Sequence, residues 1–255
     1  MKNLLLIFLF IPSSLFAQAS RDTSSEKTYA KQAYSALYNK DYKSSIEYYT
    51  DAININHTKA LYYTNRATAK WDLKDDEGAI KDFRIAILLN DKYAWTYYNN
   101  IGLLKMDEKD YQSAIKSFTK SIELYPNDSG IYSNRALAEL ANQNYRASIN
   151  DFTIAINYNN NTPILKSSYT YSMVVGNLYK SRGNAKLLRK NYKGAIADLD
   201  TAVMINPKLA LAYNARGEAK NKLGDKSGAC EDWQTASNMD CEPAKQNLKA
   251  FCEGN

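Results

Sequence analysis

One spacing governs this chain. A small residue opens a small-x-x-x-large step at Ser45, Ala79, Ala114, Ser148, Ala195 and Ala229, with separations of 34, 35, 34, 47 and 34. The 47 is a 34 with a 13-residue insertion. Four residues after each small residue stands Tyr49, Phe83, Phe118, Phe152, Leu199 or Trp233. A further small residue follows at Ala52, Ala86, Ser121, Ala155, Ala202 and Ala236, and another precedes at Ala33, Ala67, Gly102, Ala136, Gly183 and Gly217. Small residues at fixed points on two helices let their backbones approach, and the large side chain fills the space beside them. A fixed period of this length predicts a stack of identical helix pairs. Asp41, Asp75, Asp110, Asn144, Asn191 and Asp225 fall where each second helix begins, as N-caps accepting from the free N–H groups of the first turn. Pro126 and Pro207 mark where two of those helices stop.

These residues resemble the tetratricopeptide repeat (TPR) family, whose unit is a 34-residue pair of antiparallel helices. The resemblance covers about residues 26 to 240. It implies an all-α fold, a right-handed α-solenoid of six helix pairs. Residues 26–162 hold repeats one to four, and 176–240 hold repeats five and six. Residues 241–255 supply a capping helix bearing Ala244, Leu248 and Phe251, which the exposed end of such a stack requires. The expected helices are 27–39, 42–55, 60–73, 76–89, 95–108, 111–124, 129–142, 145–158, 192–205, 210–223, 226–238 and 242–252. The insertion, 163–175, lengthens the first helix of repeat five into one from about Leu165 to Arg189. That longer helix either packs back on its neighbours or offers a contact surface outside the array.

Residues 1–19 read as a signal peptide: Lys2, the apolar run Leu4 to Ile11, Pro12, then Ser13, Ser14, Ala17 and Ala19 around a cleavage site. The run is far short of the roughly 20 residues that span a bilayer. The chain is therefore expected to be exported, periplasmic or secreted. The stretch Gly224 to Trp233, Gly-Asp-Lys-Ser-Gly-Ala-Cys-Glu-Asp-Trp, is similar to the ending of many exported bacterial TPR proteins. The net charge of +6 contains no basic run and argues for solubility rather than nucleic-acid binding.

Two columns of the repeat vary together. Arg66, Arg135, Arg182 and Arg216 share one site on the first helix, and Asp82, Asp151, Asp198 and Asp232 share one on the second. The other two repeats lack both, with Gln32 and Tyr48, and Ile101 and Ser117. The four arginines are thus assigned to salt bridges within their repeats, for which bidentate guanidinium geometry is suited.

Catalysis finds no constellation. His57, the only histidine, lies in the predicted turn closing repeat one, no Ser-His-Asp or Cys-His set is available without it, and no glycine-rich phosphate loop follows a strand. Neither a metal nor a cofactor is expected. Three cysteines without a nearby histidine make a poor zinc site. In an oxidising compartment Cys230 and Cys252, at helix ends that antiparallel packing brings together, are expected to form a disulfide. The alternative for Cys230 is a buried core residue.

The resemblance implies that the first helices line a concave groove. One site there holds Asn65, Asn100 and Asn134, with Asn99 beside the row. A carboxamide both donates and accepts, so such a ladder can pair with the backbone of an extended ligand. It can equally bond neighbouring helices. Thr68, Trp71, Leu103, Met106 and Leu137 are its apolar or mixed neighbours. The positions where chaperone-clamping TPR proteins carry basic residues hold Ala30, Tyr34, Thr96 and Asn100, so that clamp is absent. The expected function is a non-catalytic scaffold holding an extended protein segment. The alternative is an assembly subunit or homo-oligomer built through residues 163–189.

Overall fold

The computed structural model describes residues 13–161 and 169–252, with side chains from 23 onward and without those of 91 and 169–171. Thirteen α-helices are present among the described residues: α1 (Ser13–Tyr38), α2 (Tyr42–Ile55), α3 (Ala60–Asp72), α4 (Asp76–Leu89), α5 (Ala94–Asp107), α6 (Tyr111–Leu124), α7 (Ser129–Ala141), α8 (Tyr145–Asn160), α9 (Tyr169–Leu188), α10 (Tyr192–Ile205), α11 (Ala210–Lys222), α12 (Lys226–Ser237) and α13 (Glu242–Phe251). A single 3-10 turn, Asp91–Tyr93, precedes α5. The chain divides into two compact units, Met1–Tyr97 and Tyr98–Asn255. Within the first, α1 packs on α2 and α3 on α4; within the second, α7 packs on α8, α9 on α10 and α11 on α12.

The repeated small and large residues form the core of each unit. Tyr49, Phe83, Phe118, Phe152, Leu199 and Trp233 are all at most 1% exposed, and the small residues four before and three after each are fully buried. The opposing first-helix site shows why it must stay small. A Cβ built on Gly217 would lie 2.7 Å from the Trp233 indole nitrogen, and one on Gly102 would lie 2.5 Å from the Phe118 ring. Glycine at these two sites lets the facing ring pack directly against the first helix.

The turn inside each pair reverses through one left-handed residue: Lys40, Lys74, Lys109, Gln143, Lys190 and Gly224. The next residue caps the second helix. Asp41, Asp75, Asp110, Asn191 and Asp225 each accept from the backbone N–H three residues on, at 2.9–3.3 Å. Asn144 departs from the expectation: its side chain makes no cap. Its Nδ2 instead donates to Glu139 at 2.7 Å, because only this repeat places a carboxylate within reach.

The helix ends otherwise match the period closely, with one large difference. α1 starts at Ser13 rather than near residue 27. It runs through the expected cleavage region, while residues 1–12 lie outside the described residues. The expected start of the long fifth-repeat helix, about Leu165, also lies outside them; α9 is described from Tyr169.

Small differences between repeats carry stability. Ser148 Oγ donates to the Ala136 carbonyl at 2.8 Å, whereas the equivalent buried Ser45 Oγ has no partner. An unsatisfied buried hydroxyl costs about 1–3 kcal/mol. Ser45→Ala is therefore expected to stabilise the protein by about 1 kcal/mol, and Ser148→Ala to destabilise it by about the same amount. Thermal unfolding of the pair checks the opposite signs.

Glu26 is buried on α1 and accepts from Tyr62 Oη on α3 at 2.6 Å and from Asn56 Nδ2 at 3.2 Å. Burial, then the bond to Glu26, pushes the Tyr62 phenol from its ordinary 10.0 up to about 12. A raised folded-state value means that the contribution is complete below pH 10 and is lost as pH rises to about 12. Alkaline unfolding should thus depend less steeply on pH in Tyr62→Phe than in the wild type across that window. Identical slopes would show that the bond adds nothing.

Candidate interaction face on the first helices

The arginines fix the first helices in position. Nε and Nη2 of Arg66 donate to the two carboxylate oxygens of Asp82, both at 2.8 Å. Arg135 makes the same pair of bonds to Asp151, Arg182 to Asp198 and Arg216 to Asp232. All four carboxylates are buried. Lys70, Lys186 and Lys220 add a second cation to three of them, at 2.7–2.9 Å. In repeat four Glu139 stands at the lysine's position. The remaining guanidinium nitrogen reaches back to the preceding pair: Arg66 to Thr50, Arg135 to Thr119, Arg182 to Thr153 and Arg216 to Asp200. Each guanidinium also lies 5.2–5.8 Å from the ring centre of the tyrosine three residues before it: Tyr63, Tyr132, Tyr179 and Tyr213. That contact adds a cation–π attraction. The hydrogen bond to Asp151 raises the Arg135 pKa and the one to Asp232 raises that of Arg216. These side chains are spent inside the protein.

The disulfide joins Cys230 on α12 to Cys252 after α13, and Cys241 is buried and free. Phe251 stacks on Trp233 with ring centres 5.6 Å apart, so α13 closes the end of the second unit.

The asparagine row is partly used within the fold. In the first unit Asn65 Nδ2 donates to Tyr49 Oη at 2.7 Å, and burial raises that tyrosine's pKa. Thr68 returns its hydroxyl to the Thr64 carbonyl of its own helix, and Trp71 is half-buried beside it. In the second unit Asn134 Nδ2 donates to Asn99 Oδ1 at 3.0 Å. Asn100, Leu103 and Met106 are half-buried on α5. Asn214, near the row's far end, is buried between Glu218 and Asn247. Of the two roles weighed for the amides, bonding to a neighbouring helix is present at Asn65 and Asn134, and their side-chain carbonyls keep accepting capacity.

Of the expected groove residues, Asn134 and Leu137 lie together in a cleft of about 510 Å³ between α7 and α9. Ser133, Met173, Val174, Asn177, Lys180 and Ser181 complete its working surface. Leu137, Met173 and Val174 are 41%, 42% and 43% exposed. Lys180 is half-buried, donates to Asn177 Oδ1 at 2.9 Å, and has its pKa lowered by burial. No carboxylate among the described residues pairs with it. Sequence reasoning missed Lys180, although a signal was there. Its column otherwise reads Ala30, Thr64, Asn99, Ser133 and Asn214, all uncharged. A second cleft of about 650 Å³ at the start of α8 includes Arg146 and Arg189, both solvent-exposed.

Comparison with known proteins agrees with this architecture. The family model for the tetratricopeptide repeat matches residues 95–128. Over 62 residues the chain is 44% identical to small glutamine-rich tetratricopeptide repeat-containing protein 2 of Saccharomyces cerevisiae, a match covering 24% of this chain and 18% of that protein. The chain thus spans under a fifth of the length of this curated relative. The C-terminal part of a TPR repeat-containing protein from Cytophaga hutchinsonii superposes with a TM-score of 0.67 at 16% identity, covering 87% of this chain and 82% of that one. YrrB, a TPR protein with an unusual peptide-binding site, superposes at 0.64 with 17% identity, covering 79% and 97%. At those identities the structures speak to fold alone. No helix among the described residues is long and apolar enough to cross a membrane. One repeat is matched by the tetratricopeptide-repeat family model and the same residues recur in phase along the chain, so the fold is the all-α solenoid that the tetratricopeptide-repeat structures share.

Proposed function

We propose that the protein is a non-catalytic scaffold that holds an extended segment of another protein against its first helices. The observation that carries this reading is the α7–α9 cleft, where exposed apolar side chains and neutral hydrogen-bonding groups share one wall. An extended peptide presents just that mixture, with apolar side chains and a backbone that needs donors and acceptors. YrrB, a TPR protein with an unusual peptide-binding site, makes the reading natural for the fold. Export is part of the proposal. The apolar stretch Leu4 to Ile11 supports it, and so does the Cys230–Cys252 disulfide, a bond that persists in oxidising compartments.

The test compares wild type with the Asn100→Ala, Asn134→Ala, Leu137→Ala variant as baits in native extract of the producing cell. Circular dichroism first establishes equal helicity. Partners retained by wild type and lost from the variant are the expected outcome. Equal retention would move the contact away from this face. The exposed pair Met173 and Val174 on α9 favours one competing reading, a homo-oligomer joined through that helix. Its mark is a concentration-dependent mass in light scattering that Met173→Asp abolishes.

A further inference from the structure

The wall of the α7–α9 cleft is peculiar to one repeat. α3, α7 and α11 begin at the same position of their repeats, Ala60, Ser129 and Ala210, to which Gly176 corresponds in α9. α9 instead starts at Tyr169. Its additional stretch to Val175 projects about 10 Å at 1.5 Å per residue. Val175 is buried and anchors that stretch, while Met173 and Val174 stay exposed over the cleft. The insertion thus gives the cleft an apolar lip that α3, α7 and α11 lack.

Beneath the lip stands a cation without a counter-charge. The Lys180 ammonium has the neutral Asn177 carbonyl oxygen as its partner. The cleft lining contains no aspartate or glutamate. Burial lowers the lysine's pKa, so removing its water costs free energy that a carboxylate would restore. Elsewhere in this chain a lysine at a comparable depth is paired: Lys70, Lys186 and Lys220 all rest on buried aspartates.

We infer that the α7–α9 cleft takes an acidic stretch of a partner protein, seating an internal Asp or Glu side chain on Lys180 and an adjacent apolar side chain against Leu137, Met173 and Val174. This rests on the scaffold reading above and names its ligand chemistry. An internal side chain is chosen over a chain terminus because the cleft offers one cation. The two carboxylates of an acidic C-terminal residue would leave one unpaired.

Random peptides displayed as N-terminal fusions, so that no free C-terminus is presented, are selected on the full-length protein. The expected result is enrichment of Asp or Glu beside an apolar residue. Lys180→Met should weaken the selected peptides about tenfold, as loss of one charge-assisted hydrogen bond implies. Lys180→Arg should retain them. Met173→Glu, at an exposed site that folding does not need, should repel the same peptides and guards against a Lys180 variant that fails to fold. Selected peptides without acidic enrichment, or bound by Lys180→Met and Met173→Glu as tightly as by wild type, would overturn the inference and leave the scaffold reading standing. Recovery of no peptide above the unselected library would sink both.

Discussion

Asp198→Ala is expected to lower stability by about 3 kcal/mol, near the lower end of the range for breaking a buried ion pair. The carboxylate is buried, accepts two bonds from Arg182 and also holds Lys186 at 2.7 Å. Its removal leaves two cations facing each other in a half-buried site. The lower end applies because both cations retain some solvent contact, with side chains 14% and 19% exposed. Arg182 also ties α9 to Thr153 on α8, so the loss should loosen the α8–α9 junction as well as the α9–α10 pair. At about 2–4 °C per kcal/mol for a protein of this size, the melting temperature should fall by roughly 6–12 °C. A double-mutant cycle with Arg182→Met isolates the pair, and the two substitutions together should cost less than Asp198→Ala alone. Strict additivity would mean that the ion pair contributes nothing beyond its parts.

Trp233→Ala should cost about 3–5 kcal/mol, the usual range for emptying a buried aromatic site. The indole is 1% exposed, donates to the Asn214 carbonyl at 3.2 Å and stacks under Phe251. It also fills the space left by Gly217. From α12 it thus touches both α11 and α13, so the loss falls on the end of the stack. Hydrogen exchange should show protection falling first in α12 and α13 while α7 and α8 keep theirs, as nearest-neighbour stability in repeat proteins requires. The disulfide holds α13 to α12 in either case. Reducing it in the Trp233→Ala variant should therefore release the terminal helix altogether. A uniform loss of protection across the second unit would contradict this local account.

How much of this was legible in the sequence follows from which constraints repeat. The core was legible because each large residue imposes a small one on the facing helix: Trp233 on Gly217, Phe118 on Gly102. The arginine–aspartate pairs were legible because both members vanish together in repeats one and three, as partners do. The cysteine pairing was accessible once the helix ends had been placed, since antiparallel packing brings those ends together. Contacts made once could not be read this way. Asn144 fits the capping column, yet Glu139 draws its side chain away. Glu26 lies where any helix could begin, and only the structure brings Tyr62 and Asn56 to it. The asparagine row announced a polar face but not that Tyr49 and Asn99 already occupy two of its donors. The cleft itself depends on the extra turns of α9, which α3, α7 and α11 do not carry.

The most direct test of the scaffold reading is photo-crosslinking from single sites on the second unit in the producing cell. One crosslinker replaces Leu137, on a first helix and 41% exposed; another replaces Met204, on a second helix and 75% exposed. Chance encounters would favour the more exposed site. The account predicts the reverse: discrete adducts from Leu137, competed by excess unlabelled protein, and little from Met204. Stronger discrete adducts from Met204 would contradict it and place the working surface on the second helices.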